Sequence, residues 1–141
     1  MIDTAELKFC QFLDGLDELE LVQLASIGTP THWREGETLF QARSPAKHLY
    51  LLKSGTLLLC FPNGRSFAVR NPGQAIGWSS LMSPFYYTAT GVFLRDATLY
   101  QFPGRELFGL FQMNAGLGYR MVERIARISE ERKPYRQRAR S

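Results

Sequence analysis

The dipeptide Asn63-Gly64, set between the apolar run LLLCFP and the run RSFAV, constrains the fold more than any other feature of this chain. Both residue types tolerate positive φ, which a two-residue hairpin turn demands, so two adjacent antiparallel strands are predicted here. Further short β-rich runs lie around it between Thr31 and Phe102: THW, ETLF, HLYLLKSG, TLLLCF, SFAVR, YTATGVFL and ATLYQF, punctuated by Gly36, Gly55 and Pro72-Gly73. Short strands interrupted this regularly imply a β-sandwich or barrel.

Helical patterning brackets the β region. In DGLDELELVQLASI (14–27), Leu16, Leu19, Leu24 and Ile27 fall near helical spacing, Leu21 and Val22 widen the stripe, and Asp17, Glu18 and Glu20 occupy the first turns, where the helix dipole favours acids. After Pro103, a residue suited to a helix start, GRELFGLFQMN and AGLGYRMVERIARISEER read as two more helices over 103–131. On the last helix Leu117, Met121, Ile125 and Ile128 recur at steps of four, four and three, and Pro134 is predicted to end it. That stripe either packs on its own β-roll or forms a homodimer through the C-terminal helix.

A chain of 141 residues can bury a core without disulfides or metal, so one domain over 1–130 is expected: helix 14–27, β-roll 30–102, then the helices. The remainder, 132–141, is a basic tail. Residues 1–130 contain 12 Lys/Arg and 12 Asp/Glu, whereas 131–141 contain Arg132, Lys133, Arg136, Arg138 and Arg140 against the single acid Glu131, so the whole excess of +4 lies in the tail. A neutral body argues against a nucleic-acid-binding face; at most the tail binds nucleic acid weakly and without sequence preference.

Cys10 and Cys60 stand in no metal or redox spacing and read as small buried hydrophobes in a reducing compartment. The opening MIDTAELKFC carries acids where a signal peptide needs cations, and no apolar run approaches a membrane span. A cytoplasmic protein is expected. His32 and His48, sixteen positions apart with no HxH pair, argue against a metal site, and no nucleophile–base set suggests catalysis. The chain therefore reads as a non-enzyme.

Order and spacing now become specific. REGETLFQARSPAKHLYLLKSGTLLLCF contains Gly36-Glu37, Leu39-Phe40, Leu49-Tyr50-Leu51-Leu52 and Ser54-Gly55, followed by Pro72-Gly73 and Gly77. This series resembles the cyclic nucleotide-binding domain family, the sensor domain of catabolite activator-like proteins, across roughly residues 10–130. The resemblance implies a mainly β fold, a jelly-roll β-barrel with an N-terminal helix and two C-terminal helices. It also implies a phosphate-binding cassette in GQAIGWSSLMSPFYYTATG (73–91), with ligand contacts from Gly77, Trp78, Ser79, Ser80, Leu81, Tyr87, Thr88 and Ala89.

The cassette departs from the family at its two charged anchors. Trp78 stands where the family's Glu accepts from the ribose, and Tyr87 stands where its Arg neutralises the cyclic phosphate. Charge-assisted hydrogen bonds contribute about 1.5–3 kcal/mol each, so losing both costs roughly 4 kcal/mol, a thousandfold in affinity. Trp78 and Tyr87 offer either flat surfaces for a ligand ring or ordinary core packing; Ser79 and Ser80 either meet a phosphate or cap a short helix. Arg70 and Arg95 are candidate substitute cations, with plain solvent exposure as the alternative.

The expectation is a stand-alone regulatory or sensor module with weakened or altered cAMP and cGMP binding, signalling through dimer geometry or a partner protein. No cofactor is implied beyond a cyclic nucleotide or other small ligand. The chain ends at Ser141, before any helix-turn-helix of the kind that follows this domain in transcription regulators. The alternatives are a ligand-free interaction module whose pocket is filled by Trp78 and Tyr87, and a sensor that reaches DNA through a partner.

Overall fold

The computed structural model describes residues 1–136. Six antiparallel strands form one sheet: β1 (Thr29–Trp33), β2 (Thr38–Phe40), β3 (His48–Cys60), β4 (Ser66–Val69), β5 (Ala75–Ile76) and β6 (Thr90–Pro103). Its path runs β1-β6-β3-β4, with β2 also on β6 and β5 also on β3. The arrangement is jelly-roll-like but not a closed barrel, since β1 and β4 remain the two ends of the path among the described residues.

Two pairs of the short runs are fused into long bent strands. HLYLLKSG and TLLLCF form β3 without a break, and β6 continues from Thr90 to Pro103 opposite it, with Leu49 facing Phe102 and Cys60 facing Thr90. Gly55 is a bend inside β3 rather than a terminator: pairing shifts register between Leu52 and Leu57, and Gly55 adopts φ +100°. A Cβ there would lie 2.5 Å from Ala97 Cβ and from the Asp96 carbonyl oxygen, so only glycine fits.

The β3–β4 hairpin forms, but not through a two-residue Asn-Gly turn. Gly64 N–H donates to the Phe61 carbonyl at 3.0 Å, which places Pro62 and Asn63 at the turn's centre and leaves the positive φ (+87°) to Gly64 alone. Pro62 favours this longer loop because its ring holds φ negative, the preference of the first central position of a type I turn.

The helices close one side of the sheet. They are α1 (Thr4–Leu7), α2 (Glu18–Ile27), α3 (Gly104–Met113) and α4 (Ala115–Arg136). Side chains alternate across a strand, so the LYLL run at the start of β3 serves two cores. Leu49 and Leu51 pack beneath the helices with Leu24, Phe102, Leu107 and Leu117; Tyr50 and Leu52 point into the roll with Leu57, Val69, Ile76 and Phe93.

Three helical expectations need correction. The first long helix starts at Glu18, not Asp14, because Gly15 takes φ +83° and Asp17 caps the new helix, accepting from Glu20 N–H at 2.8 Å. Its buried face is Leu21, Leu24 and Ala25 with the carboxylate of Glu20, whereas Leu19 is 65% exposed. The apolar stripe of α4 is not free for a second copy: Leu117, Met121 and Ile125 are fully buried in the chain's own core, with Ile128 packed against it. A dimer through this helix would have to use the opposite face, where Tyr119 and Val122 are exposed.

Finally, α4 runs through Pro134 to Arg136. Proline removes the N–H that would reach the carbonyl four residues back, and the carbonyls of the last turn find donors on the β3–β4 hairpin. Arg65 donates to the Pro134 carbonyl and Asn63 Nδ2 donates to that of Tyr135 at 2.9 Å. Residues 132–136 thus belong to the folded body and not to a solvated tail; 137–141 lie outside the described residues.

Candidate functional site

The cassette begins where β5 pairs with β3, Ile76 opposite Tyr50. Gly77 then turns the chain at φ +76°, a position where a Cβ would crowd the His48 carbonyl and the Tyr87 ring at 3.1 Å each. A single 3-10 turn, Trp78–Leu81, follows. Ser80 is buried and its hydroxyl donates back to the Gly77 carbonyl at 2.9 Å, while Leu81 packs into the helical core. Neither lines the cassette cavity.

Tyr87 is held by the framework. Its ring stacks on Phe40 at 3.9 Å with 10° between planes, and its hydroxyl donates to the His48 carbonyl at 2.9 Å. His48 N–H in turn donates to the Tyr87 hydroxyl oxygen at 3.3 Å. The side chain is buried, and that burial pushes its phenol above the ordinary range. The phenol is therefore a fixed, neutral group at this wall of the cassette.

Gly77, Trp78, Ser79, Tyr87, Thr88 and Ala89 come together around one cavity of about 30 Å³. That is room for a water molecule and far below the hundreds of Å³ that a nucleotide needs. Phe40, Leu59 and Phe61 complete the apolar wall, and Arg132 and Arg136 of α4 enter from above. Next to Arg136 on the same helix, the Tyr135 ring sits edge-on to Phe67 at 5.1 Å. Arg70 and Arg95, the substitute cations considered from sequence, do not line the cavity.

Arg132 is the unexpected member. Its guanidinium carbon lies 3.7 Å from the Phe67 ring centroid and 5.2 Å from that of Trp78. Only 6% of the residue is exposed, and Nη1 is buried with no hydrogen-bond partner among the described residues. Burial lowers its pKa to about 10, so it remains a cation at neutral pH. Arg136 is half-buried and donates to Ser129 Oγ at 2.7 Å and to the Ser129 carbonyl at 2.8 Å. One signal in the sequence could have found Arg132: the α4 stripe continues past Ile128 by steps of four to Arg132 and three to Tyr135.

A second, wider cleft adjoins the first and shares Tyr87, Thr88 and Arg136 with it. Its volume is about 600 Å³, and its other walls are Arg43, Pro62, Asn63, Pro84 and Tyr86.

An antiparallel jelly-roll-like sheet with flanking helices, a glycine-led 3-10 turn and a helix laid over the cassette define the class of cyclic-nucleotide-type sensor domains. The family model for the cyclic nucleotide-binding domain matches residues 30–114, well over half of the chain, and the chain belongs to that family. The family is a ligand-binding regulatory domain. Among solved structures, the chain resembles a protein from Geobacter metallireducens GS-15 assigned as cyclic nucleotide-binding, with TM-score 0.81 and 26% identity, covering 89% of this chain and 94% of that one. It also resembles the regulatory subunit of a cAMP-independent protein kinase A from Trypanosoma brucei, with TM-score 0.76 and 19% identity, covering 89% of this chain and 44% of that one. Among curated proteins, an uncharacterized NTE family protein of Mycobacterium bovis is 25% identical over 122 residues, 86% of this chain and 21% of that protein. The chain thus spans about a fifth of the length of that relative. No described helix is long and apolar enough to cross a membrane.

Proposed function

We propose that the chain is a regulatory module of the cyclic nucleotide-binding type that does not bind cAMP or cGMP tightly and that signals through the position of α4. The observation that carries this reading is the cassette cavity of about 30 Å³, walled by Trp78 and Tyr87 and covered by the last turns of α4. With the Glu and Arg anchors replaced, neither the ribose nor the cyclic phosphate of cAMP finds its charged partner. The fold's resemblance to a regulatory subunit described as cAMP-independent agrees with such a departure. Because the last turns of α4 cover the cassette through Arg132 and Arg136, a change at the pocket moves the end of the helix, and a partner that reads that end would sense it.

The same closed cavity also favours a second reading, a ligand-free interaction module. Calorimetric titration of the unmodified protein with cAMP and cGMP tests the first claim, with Kd above the millimolar range expected. Micromolar binding would overturn it. A thermal-shift panel of cyclic mono- and dinucleotides separates the two readings, because the interaction module responds to none of them.

A further inference from the structure

A buried cation without a partner is costly, and a protein that retains one has a position poised to attract an anion. Arg132 meets that description: 6% exposed, making no ion pair among the described residues, with Nη1 unpaired and the guanidinium set against two aromatic faces. It lines the cassette cavity together with Ser79 and Thr88, whose hydroxyls are further donors, and with Arg136, which also lines the cleft of about 600 Å³ next door.

We propose that Arg132 has taken over the counter-charge role vacated at Tyr87, so that a phosphate-bearing small molecule binds with its phosphate at the seam between cassette and α4 and its remainder in the neighbouring cleft. The inference rests on the reading of this pocket as a regulatory ligand site. A phosphate suits the seam better than a carboxylate: its oxygens can accept from the guanidinium fork and from the hydroxyls of Ser79 and Thr88 at once. Entry requires the Arg132–Arg136 turn to lift, because the closed cavity holds only a water. The cation therefore travels with the element that has to move. A ligand seated on Arg132 would set the position of the end of α4 directly.

The test uses the full chain at constant ionic strength, which holds general screening equal across probes, with 5′-AMP, cAMP and inorganic phosphate as anionic probes and adenosine as the neutral control. Melting temperature and tryptophan fluorescence are read together. The expected result is a rise in melting temperature with 5′-AMP and none with adenosine. Arg132→Met and Arg132→Gln should weaken the 5′-AMP response by at least about tenfold in Kd. Arg132→Lys, which keeps the charge and loses the planar fork, should retain part of it. Arg132→Met should melt no lower than wild type, because it removes an unpaired buried charge at similar volume. A 5′-AMP response unchanged in Arg132→Met would overturn the assignment of Arg132 while leaving a ligand pocket in place. A wild type that responds to none of the anions would also overturn it. Micromolar cAMP binding in wild type and Arg132→Met alike would instead refute the weak-cAMP reading of the module.

Discussion

Restoring the two charged anchors that the family resemblance implies, Tyr87→Arg with Trp78→Glu, should improve cAMP binding over the wild type and still leave it short of what an uncovered pocket allows, and the structure gives the reason. Two charge-assisted bonds supply roughly 4 kcal/mol, or about a thousandfold in Kd. Seating the nucleotide, however, displaces the last turns of α4. That breaks the bonds from Arg65 to the Pro134 carbonyl and from Asn63 to the Tyr135 carbonyl, about 1 kcal/mol each, and the contact of Tyr135 with Phe67, about 1 kcal/mol more. That cost, about 3 kcal/mol or roughly a hundredfold, weighs on the wild type and the double variant alike, so the anchors raise affinity about a thousandfold while the cover still withholds its share. Deleting residues 132–141 from the double variant removes the cover and should release the rest, roughly another hundredfold. Calorimetry with cAMP on the wild type, the double variant and the truncated double variant reads each step, with circular dichroism confirming that each is folded. A truncation that adds nothing to the double variant would show that α4 is not the barrier.

Ile125→Glu should unfold the protein rather than convert a dimer to a monomer, since Ile125 is 1% exposed in the core; a loss of more than about 3 kcal/mol in urea is expected, and a stable monomer would contradict the packing. Burial lifts the Cys10 thiol from an ordinary 9.0 to about 11, with the nearby Glu6 carboxylate adding to the rise. Its contribution to stability is therefore complete below pH 9 and is lost as pH rises toward 11, by about 2 kcal/mol; Cys10→Ala should flatten the urea midpoint over that window, and an unaltered slope would assign the loss elsewhere. Any retention on DNA at low salt should vanish when 132–141 are deleted and should be weak from the start, because Arg132 and Arg136 turn into the pocket and not into solvent; sequence-selective binding by the truncated protein at physiological salt would refute this.

The β region was legible because turn chemistry is local. Gly64, Gly73 and Gly77 all take positive φ at or beside the breaks between strands, and the runs between them are strands. Gly55 misled, since a glycine that bends a strand and one that ends it look alike in sequence; only the approach of Ala97 to within 2.5 Å distinguishes them. The short helical turn after Gly77 was legible, but the destination of its side chains was not. Ser80 and Leu81 share a turn with Ser79, yet a 3-10 turn sends neighbouring side chains in different directions, and these two point inward. Arg132 was obscured by Pro134: with the helix expected to stop, its charge counted as tail, although the phase of Leu117, Met121, Ile125 and Ile128 carries it onto the buried face.

The attachments of α4 divide it into two parts with different partners, and this division makes the pocket reading mechanically coherent. Its first half is fastened to the helical core. Buried Glu20 accepts from Arg120 and, at 3.1 Å, from Asn114 just before the helix, while Arg124 donates to the carbonyls of Phe12, at 2.6 Å, and Asp14. Leu117, Met121 and Ile125 add fully buried apolar surface there. The last turns lack such an anchor. They hold the sheet through Asn63, Arg65 and the Tyr135 ring, and they cover the cassette through Arg132, which Phe67 and Trp78 receive only as a stacked cation. A perturbation at the cassette therefore competes with a few hydrogen bonds and with the Tyr135 and Arg132 ring contacts at the end of α4, not with the core beneath the helices. The end can lift while Leu117 to Ile125 stay seated, and the hinge between these regimes falls near Ile128, where burial changes from complete to partial.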